Sequence, residues 1–178
     1  CKKIETNRKW NIQKYHYDHT FLKTFTINHG ETHLHIGFNI KKLLKQFKPA
    51  VVITNGFAIP MLIAFFYTIT KNIPHISFID GTMITEKKLS FIHKFVRKFI
   101  FSKSLAFIGP SKQTEDLFQS YNISKNKIFR SCLAIDNKQF LIHQKKFENK
   151  KFDILFSGQF IPGKCPDFFT KVVNKVSL

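Results

Sequence analysis

Polar residues and glycines follow three short, mainly apolar segments of this sequence. The segments are residues 50–54, 75–79 and 105–108, and they are followed by Asn55-Gly56, Asp80-Gly81 and Gly109-Pro110-Ser111. Short apolar runs between turn residues are typical of parallel strands covered on both faces. Because ligands bind beyond the carboxyl ends of such strands, we expect a cleft lined by Asn55, Gly56, Asp80, Gly81, Glu86 and Ser111.

Each of these residues also has a structural interpretation. Asp80 is the candidate catalytic group, but a polar residue after a strand can simply open a loop. Gly56 could admit a ligand close to the backbone, although a glycine in a tight turn is more often a steric requirement. Ser111 is placed to cap a helix. Glu86 could bind a substrate hydroxyl or complement a helix dipole in a first turn.

Strand and helix patterns alternate along the chain. We predict a strand over residues 21–27, a turn at 28–30 and a helix over 31–47 that Pro49 ends. Three further strands begin near residues 50, 75 and 105, separated by helices to about residue 70 and over 86–102. A helix opened by Ser111 and a strand over 127–133 follow. This alternation predicts an α/β fold with a Rossmann-like, doubly wound parallel sheet.

The character of the sequence changes after residue 141. Residues 142–151 are polar and charged, typical of a linker. Residues 152–178 then predict one strand, a turn at Gly158 and one helix from Pro166. One strand and one helix cannot bury a core, so we expect residues 1–141 to be one domain and 152–178 the incomplete start of another.

The composition narrows the possible partners and cofactors. The net charge is +18, which favours phosphate-bearing partners such as nucleic acid, anionic lipid or a sugar nucleotide. Three distant cysteines offer neither a zinc site nor a disulfide framework. On a predicted helix His33 and His35 would face different ways, so we expect no metal. The longest apolar run, residues 58–69, is shorter than the roughly 20 residues of a membrane span.

Residues 87–103 form a basic, phenylalanine-rich amphipathic pattern. Such a helix must pack its apolar stripe on the sheet, and it could also dock on anionic lipid. In that case Lys87, Lys94, Arg97 and Lys98 would lie at the membrane surface. Because three distant cysteines are typical of a reducing cytosolic compartment, we expect a cytoplasmic protein that is peripheral at the inner face of the cell membrane.

Four segments in order resemble the family 4 retaining glycosyltransferases of the GT-B fold. The first two are Phe107-Ile-Gly-Pro-Ser111 and residues 121–128, YNISKNKI. The others are residues 134–140, AIDNKQF, and residues 154–164, ILFSGQFIPGK. The order, the spacing and the position of the linker agree across about 75 residues, whereas residues 1–104 agree mainly in their β-α rhythm.

The resemblance implies transfer of a sugar from a nucleotide-diphosphate donor to a glycolipid or polysaccharide acceptor, without a metal or other cofactor. The donor phosphates would contact Gly158, Gln159 and Lys164, with Lys164 the basic residue that offsets their charge. The sequence departs from the family at three points: Gln159 replaces an arginine, Cys165 replaces a glycine, and Asp80 follows the third strand, where many members carry a histidine. Since most of the donor domain would lie beyond Leu178, we expect the chain alone to be inactive.

A second interpretation comes from the charge alone. A basic α/β module could bind nucleic acid without catalysis. Against this, the positive charge is spread along the chain, and no recognition-helix or aromatic RNA-binding motif is visible. Donor sugar, acceptor and linkage cannot be predicted from these residues.

Overall fold

The structure is a computed structural model that describes residues 17–29, 32–134, 154–158 and 160–176. The chain divides into two compact units, Cys1–Leu133 and Ala134–Leu178. The predicted linker at 142–151 lies outside the described residues, so the boundary at residue 141 stays a prediction.

The first unit alternates strands and helices after an initial hairpin. Its elements are β1 Thr24–His29, β2 Thr32–Gly37, α1 Ile40–Phe47, β3 Val52–Asn55, α2 Ile59–Lys71, β4 His75–Phe78, α3 Met83–Lys87, α4 Phe91–Lys103, β5 Ala106–Gly109, α5 Lys112–Ser120 and β6 Ile128–Arg130.

Four of these strands form one parallel sheet in the order β3-β4-β5-β6. Val52 pairs with His75, Ile76 with Ala106, and Phe107 with Ile128. Each parallel connection needs a crossover segment, and α2, α3 with α4, and α5 supply the three crossovers. The predicted α/β, Rossmann-like parallel sheet is confirmed.

The helices pack against one face of this sheet. Phe107 on β5 contacts Phe101 of α4 and Phe118 of α5, and Phe65 of α2 joins the same cluster. A second cluster around Val52 holds Ile40 of α1 and Ala64 of α2. Val52, His75 and Phe107 alternate with residues that point to the other face, so both clusters lie on one side of the sheet.

The prediction that the strands are covered on both faces is wrong for β3 in the described part of the chain. Ile53 on β3 is 53% exposed and Phe129 on β6 is 55% exposed, and both point away from the helices. β3 is also an edge strand here, not a central one. The apolar composition of a strand indicates that it can be buried, but it does not show whether another element covers it.

The predicted helix over 31–47 begins later than expected. Residues 32–37 form β2, which pairs antiparallel with β1, and only Ile40–Phe47 is helical. The spacing of Leu34, Ile36 and Ile40 fits a helix, but polar and apolar residues also alternate over 32–37, and pairing with β1 selects the strand. Gly37 lies against α2, where an added Cβ would be in ordinary van der Waals contact with Pro60, 3.5 Å away.

The second unit contains a 3₁₀ turn, Pro162–Lys164, and a helix α6, Pro166–Val176. The predicted strand over 152–157 is not formed at the residues described there, 154–157. A strand needs a partner for its hydrogen bonds, and the described residues of this unit offer no second extended segment. Among all described residues, no helix is long and apolar enough to cross a membrane.

Candidate functional site

The carboxyl ends of the parallel strands place the predicted cleft residues along one edge of the sheet. Backbone hydrogen bonds continue the ladder past the strands, from Gly56 N to Phe78 O at 2.9 Å and from Ile79 N to Ile108 O at 3.1 Å. Asn55-Gly56, Asp80-Gly81 and Gly109-Ser111 therefore leave the sheet side by side. Asp80 and Asn55 are exposed, so both side chains are available to a ligand at this edge.

The glycines at this edge are required for two different reasons. Gly56 has φ +77°, a conformation that favours glycine, and a Cβ there would meet nothing within 4 Å. Open space above a left-handed turn leaves the backbone accessible. At Gly109 a Cβ would lie 2.6 Å from Cγ2 of Thr114, so this glycine allows α5 to pack on the strand.

Ser111 is the N-cap of α5. Its Oγ accepts a hydrogen bond from the backbone N–H of Thr114 at 3.3 Å. Glu115 lies in the first turn of the helix and pairs with Arg130, with Nη2 2.7 Å from Oε1. Ser111 therefore caps the helix. A ligand bound at the N-terminus of α5 would lie near the Glu115 carboxylate.

Glu86 does not face the cleft. It is buried at the end of α3, where its carboxylate accepts hydrogen bonds from Nη1 of Arg97 and from the Tyr121 hydroxyl. Its two oxygens are engaged inside the fold, so the prediction that Glu86 lines the cleft is wrong. The guanidinium of Arg97 also stacks on Phe57, with Cζ 4.6 Å from the ring centroid.

Arg97 corrects the predicted membrane surface. Of the four residues predicted to face the membrane, Lys87 and Lys98 are exposed and Lys94 is half-buried, but Arg97 is buried. Burial lowers the pKa of Arg97 and raises that of Tyr121, because both environments disfavour the charged form. Arg97 therefore neutralises Glu86 inside the fold instead of contacting lipid.

His75 is a second buried polar centre that the sequence analysis did not identify as such. Ser104 Oγ donates to Ile100 O at 2.8 Å, so it accepts from Nδ1–H of His75 at 2.8 Å. Nε2 then accepts from the Thr54 hydroxyl at 2.9 Å. The ring is fully bonded as the neutral form, and burial lowers its pKa to about 4.

In the second unit the predicted phosphate contacts lie on the loop before α6. Gly158 and Lys164 are exposed, and the backbone N–H of Lys164 donates to Ile161 O at 2.9 Å. Gln159 lies outside the described residues. Cys165 has φ +50°, a left-handed conformation that glycine adopts most easily.

Two concavities accompany these elements. One of about 550 Å³ follows the Lys164 loop and is lined by Phe160, Ile161, Cys165, Pro166, Asp167, Phe168 and Lys171. The other, of about 300 Å³, lies between α4 and the segment after α5. Neither of these two is lined by Asp80.

The basis for excluding a histidine metal site changes with the structure. His33 and His35 lie on the strand β2 and not on a helix, so the helical argument against their pairing does not apply. Over the part of the chain that is described, no group of three or more His, Cys, Asp or Glu side chains could hold a metal ion.

Comparisons with known proteins give a partial structural likeness. No family model matches the sequence, and no curated protein matches it. One solved structure, a UDP-N-acetylglucosamine 2-epimerase, has 18% identity and a TM-score of 0.43 over 52% of this chain and 26% of its own. A putative UDP-N-acetylglucosamine 2-epimerase from Listeria monocytogenes has 16% identity and a TM-score of 0.42 over 51% and 24%.

The match spans about a quarter of the length of those structures. At these identities and TM-scores the likeness carries no inference about activity, substrate or partner.

Proposed function

We propose that this chain belongs to a retaining glycosyltransferase that uses a nucleotide-diphosphate sugar as donor. In this proposal the first unit receives a glycolipid or polysaccharide acceptor, and the loop before α6 contacts the donor phosphates. The four ordered sequence segments that resemble family 4 enzymes are its main support. The parallel sheet is the architecture that this resemblance implies.

The single structural observation that carries the proposal is the backbone at Cys165. The family pattern has a glycine after the lysine that Lys164 matches. Cys165 holds φ +50° at that position, which is the conformation for which a glycine would be selected. The local turn thus agrees with the family pattern although the residue type does not.

The chemistry of the loop follows from charge. A departing nucleoside diphosphate develops negative charge that a preorganised cation stabilises without a metal. Lys164 is exposed and can supply this cation. Gln159 can hydrogen-bond a phosphate oxygen but cannot offset its charge, so Lys164 would carry more of it than its counterparts that work beside an arginine.

Replacing Lys164 with alanine in the natural gene product tests this proposal. We expect Lys164→Ala to lower kcat by about 10²- to 10³-fold, the loss typical of one preorganised electrostatic group. The measurement is nucleoside diphosphate release across a panel of donor sugars, with product stereochemistry determined by NMR. Gln159→Arg should retain activity and tighten donor binding.

Two results would count against the proposal. Wild-type turnover by a folded Lys164→Ala protein would remove the phosphate role from this loop. Salt-sensitive binding to nucleic acid, with no turnover of any donor by the natural gene product, would favour the non-catalytic basic module instead.

A further inference from the structure

Helix α4 exposes an apolar stripe on the side opposite its buried face. Arg97, Ile100 and Phe101 are its buried residues, whereas Phe91 is 82% exposed and Phe95 is 64% exposed. At 3.6 residues per turn, Phe91, Phe95 and Phe99 lie above one another, and Ile92 lies beside them. Water therefore contacts the more phenylalanine-rich side of this helix.

The stripe continues onto the neighbouring helix α2. Phe66 is exposed, and its ring stacks on Phe99 with centroids 6.3 Å apart and an interplanar angle of 29°. Ile69, one turn further along α2, is also exposed. We call these six residues the aromatic face: Phe66, Ile69, Phe91, Ile92, Phe95 and Phe99.

The charges on these two helices have one sign. Neither α2 nor α4 contains Asp or Glu, and α4 carries Lys94, Lys98 and Lys103 beside the stripe. Lys87 and Lys88 are exposed on the segment just before α4. The acid closest in sequence, Glu86, is buried and already paired with Arg97. The aromatic face thus lies among cations that no acidic side chain of its own two helices neutralises.

We propose that the aromatic face docks on an anionic lipid bilayer, with Phe91, Ile92 and Phe95 at the boundary between headgroups and acyl chains. Aromatic and aliphatic side chains flanked by lysines are the arrangement that binds such interfaces. Lys94 and Lys98 contact the lipid phosphates. A second copy of this chain would bring lysines against lysines, so self-association through this face is opposed by charge. The docking does not depend on the proposed glycosyl transfer.

Vesicle flotation tests the apolar contribution. The probes are vesicles of phosphatidylcholine alone and of phosphatidylcholine with about 40% phosphatidylglycerol, a composition with a strongly negative surface potential. We expect the chain to bind the anionic vesicles, and Phe91→Ser/Phe95→Ser to weaken this binding at least tenfold. Both side chains are exposed, so the double variant keeps its fold by circular dichroism. The matched control is Phe129→Ser, which removes an exposed phenylalanine from the opposite face of the sheet.

A charge pair tests the electrostatic contribution. Lys94→Gln/Lys98→Gln should weaken binding about thirtyfold, which corresponds to about 1 kcal/mol for each removed cation. Lys41→Gln/Lys42→Gln on α1 removes the same charge elsewhere and should change binding much less. A Phe95→Trp variant in a Trp10→Phe background should show a blue-shifted emission on anionic vesicles.

Three outcomes overturn the proposal. The first is equal binding by the chain and by Phe91→Ser/Phe95→Ser. The second is an unchanged tryptophan emission when the Phe95→Trp variant is bound to vesicles. The third is that the unmodified chain does not bind vesicles but forms a dimer, and that Phe91→Ser/Phe95→Ser converts this dimer to a monomer. This result would assign the aromatic face to a protein interface.

Discussion

His75 is held between two hydroxyl groups from distant parts of the first unit. Thr54 lies 21 residues before it and Ser104 lies 29 residues after it. Because Ser104 gives its own proton to Ile100 O, the ring can donate only from Nδ1 and accept only at Nε2. Protonating Nε2 would require the Thr54 hydroxyl to turn and accept the hydrogen bond, and it would bury a charge without an anionic partner.

The stability of the first unit should therefore fall as the pH drops. A histidine with a pKa of about 4 in the folded state and 6.5 unfolded binds a proton first in the unfolded state. Its stabilisation is complete above pH 6.5 and is lost as the pH falls from 6.5 to 4, by about 3 kcal/mol. Urea unfolding followed by circular dichroism across this range measures it.

The pH dependence should be lost when the buried imidazole of His75 is removed. His75→Gln should flatten the stability profile between pH 6.5 and 4. A profile of His75→Gln with the same slope as the unmodified chain would assign the proton uptake to other groups.

Cys165 gives a second prediction at a single residue. A non-glycine residue in the left-handed region costs about 1 kcal/mol. Cys165→Gly should recover this energy and raise amide hydrogen-exchange protection in α6 about fivefold. Cys132→Gly is the control, since Cys132 has no positive φ and should gain nothing. Lower protection in Cys165→Gly would show that the cysteine side chain contributes more than the strain costs.

Local residue roles were predictable where the cause is local. Ser111 caps α5 because its partner is three residues away, and the turn glycine Gly56 follows from its place after a strand. The hydroxyl partners of His75 were not predictable, because Thr54 lies on β3 and Ser104 directly follows α4. The same holds for Glu86, whose partner Arg97 belongs to the next helix.

At the scale of elements, α4 shows why a periodic pattern can be ambiguous. Its apolar stripe does not coincide with its buried side. Phe91, Ile92 and Phe95 are exposed, whereas the buried residues are Arg97, Ile100 and Phe101. Pairing with Glu86 turns Arg97 inward, and the opposite side then faces water. Residues 32–37 also fit a helical pattern and were predicted to be helical, but they pair with β1 and form a strand.

The orientation of α4 should depend on the Glu86–Arg97 pair. Arg97→Ala leaves the carboxylate buried without its cation and should destabilise the first unit by about 3 to 5 kcal/mol in urea unfolding. Lys98→Ala, at the exposed neighbouring position, should change stability by less than about 0.5 kcal/mol. A double variant, Glu86→Gln/Arg97→Met, should recover much of the loss because no buried charge remains. If the double variant is no more stable than Arg97→Ala, packing and not charge explains the effect.

At the scale of the whole chain, the alternation of strands and helices was enough to predict a parallel α/β sheet. The parallel pairing direction followed from the crossover connections, whereas the place of β3 at the edge of the described sheet did not. The sequence did not predict how many faces of the sheet are covered. Ile53 and Phe129 are apolar, yet both are exposed in the structure. The chain also divides into two units, and limited proteolysis can test where the boundary between them lies.

Limited proteolysis should cut the chain first within residues 142–151. This segment is polar and holds Lys145, Lys146, Lys150 and Lys151, so trypsin has several cleavage sites there. Segments between domains are cleaved before hydrogen-bonded elements because a protease must bind an extended backbone. Residues 50–110 provide an internal control, since Lys71, Lys87 and Lys88 are exposed lysines within or beside helices. Mass spectrometry at early time points identifies the first bond cleaved. First cleavage after one of these three lysines would contradict a linker at 142–151 and move the domain boundary.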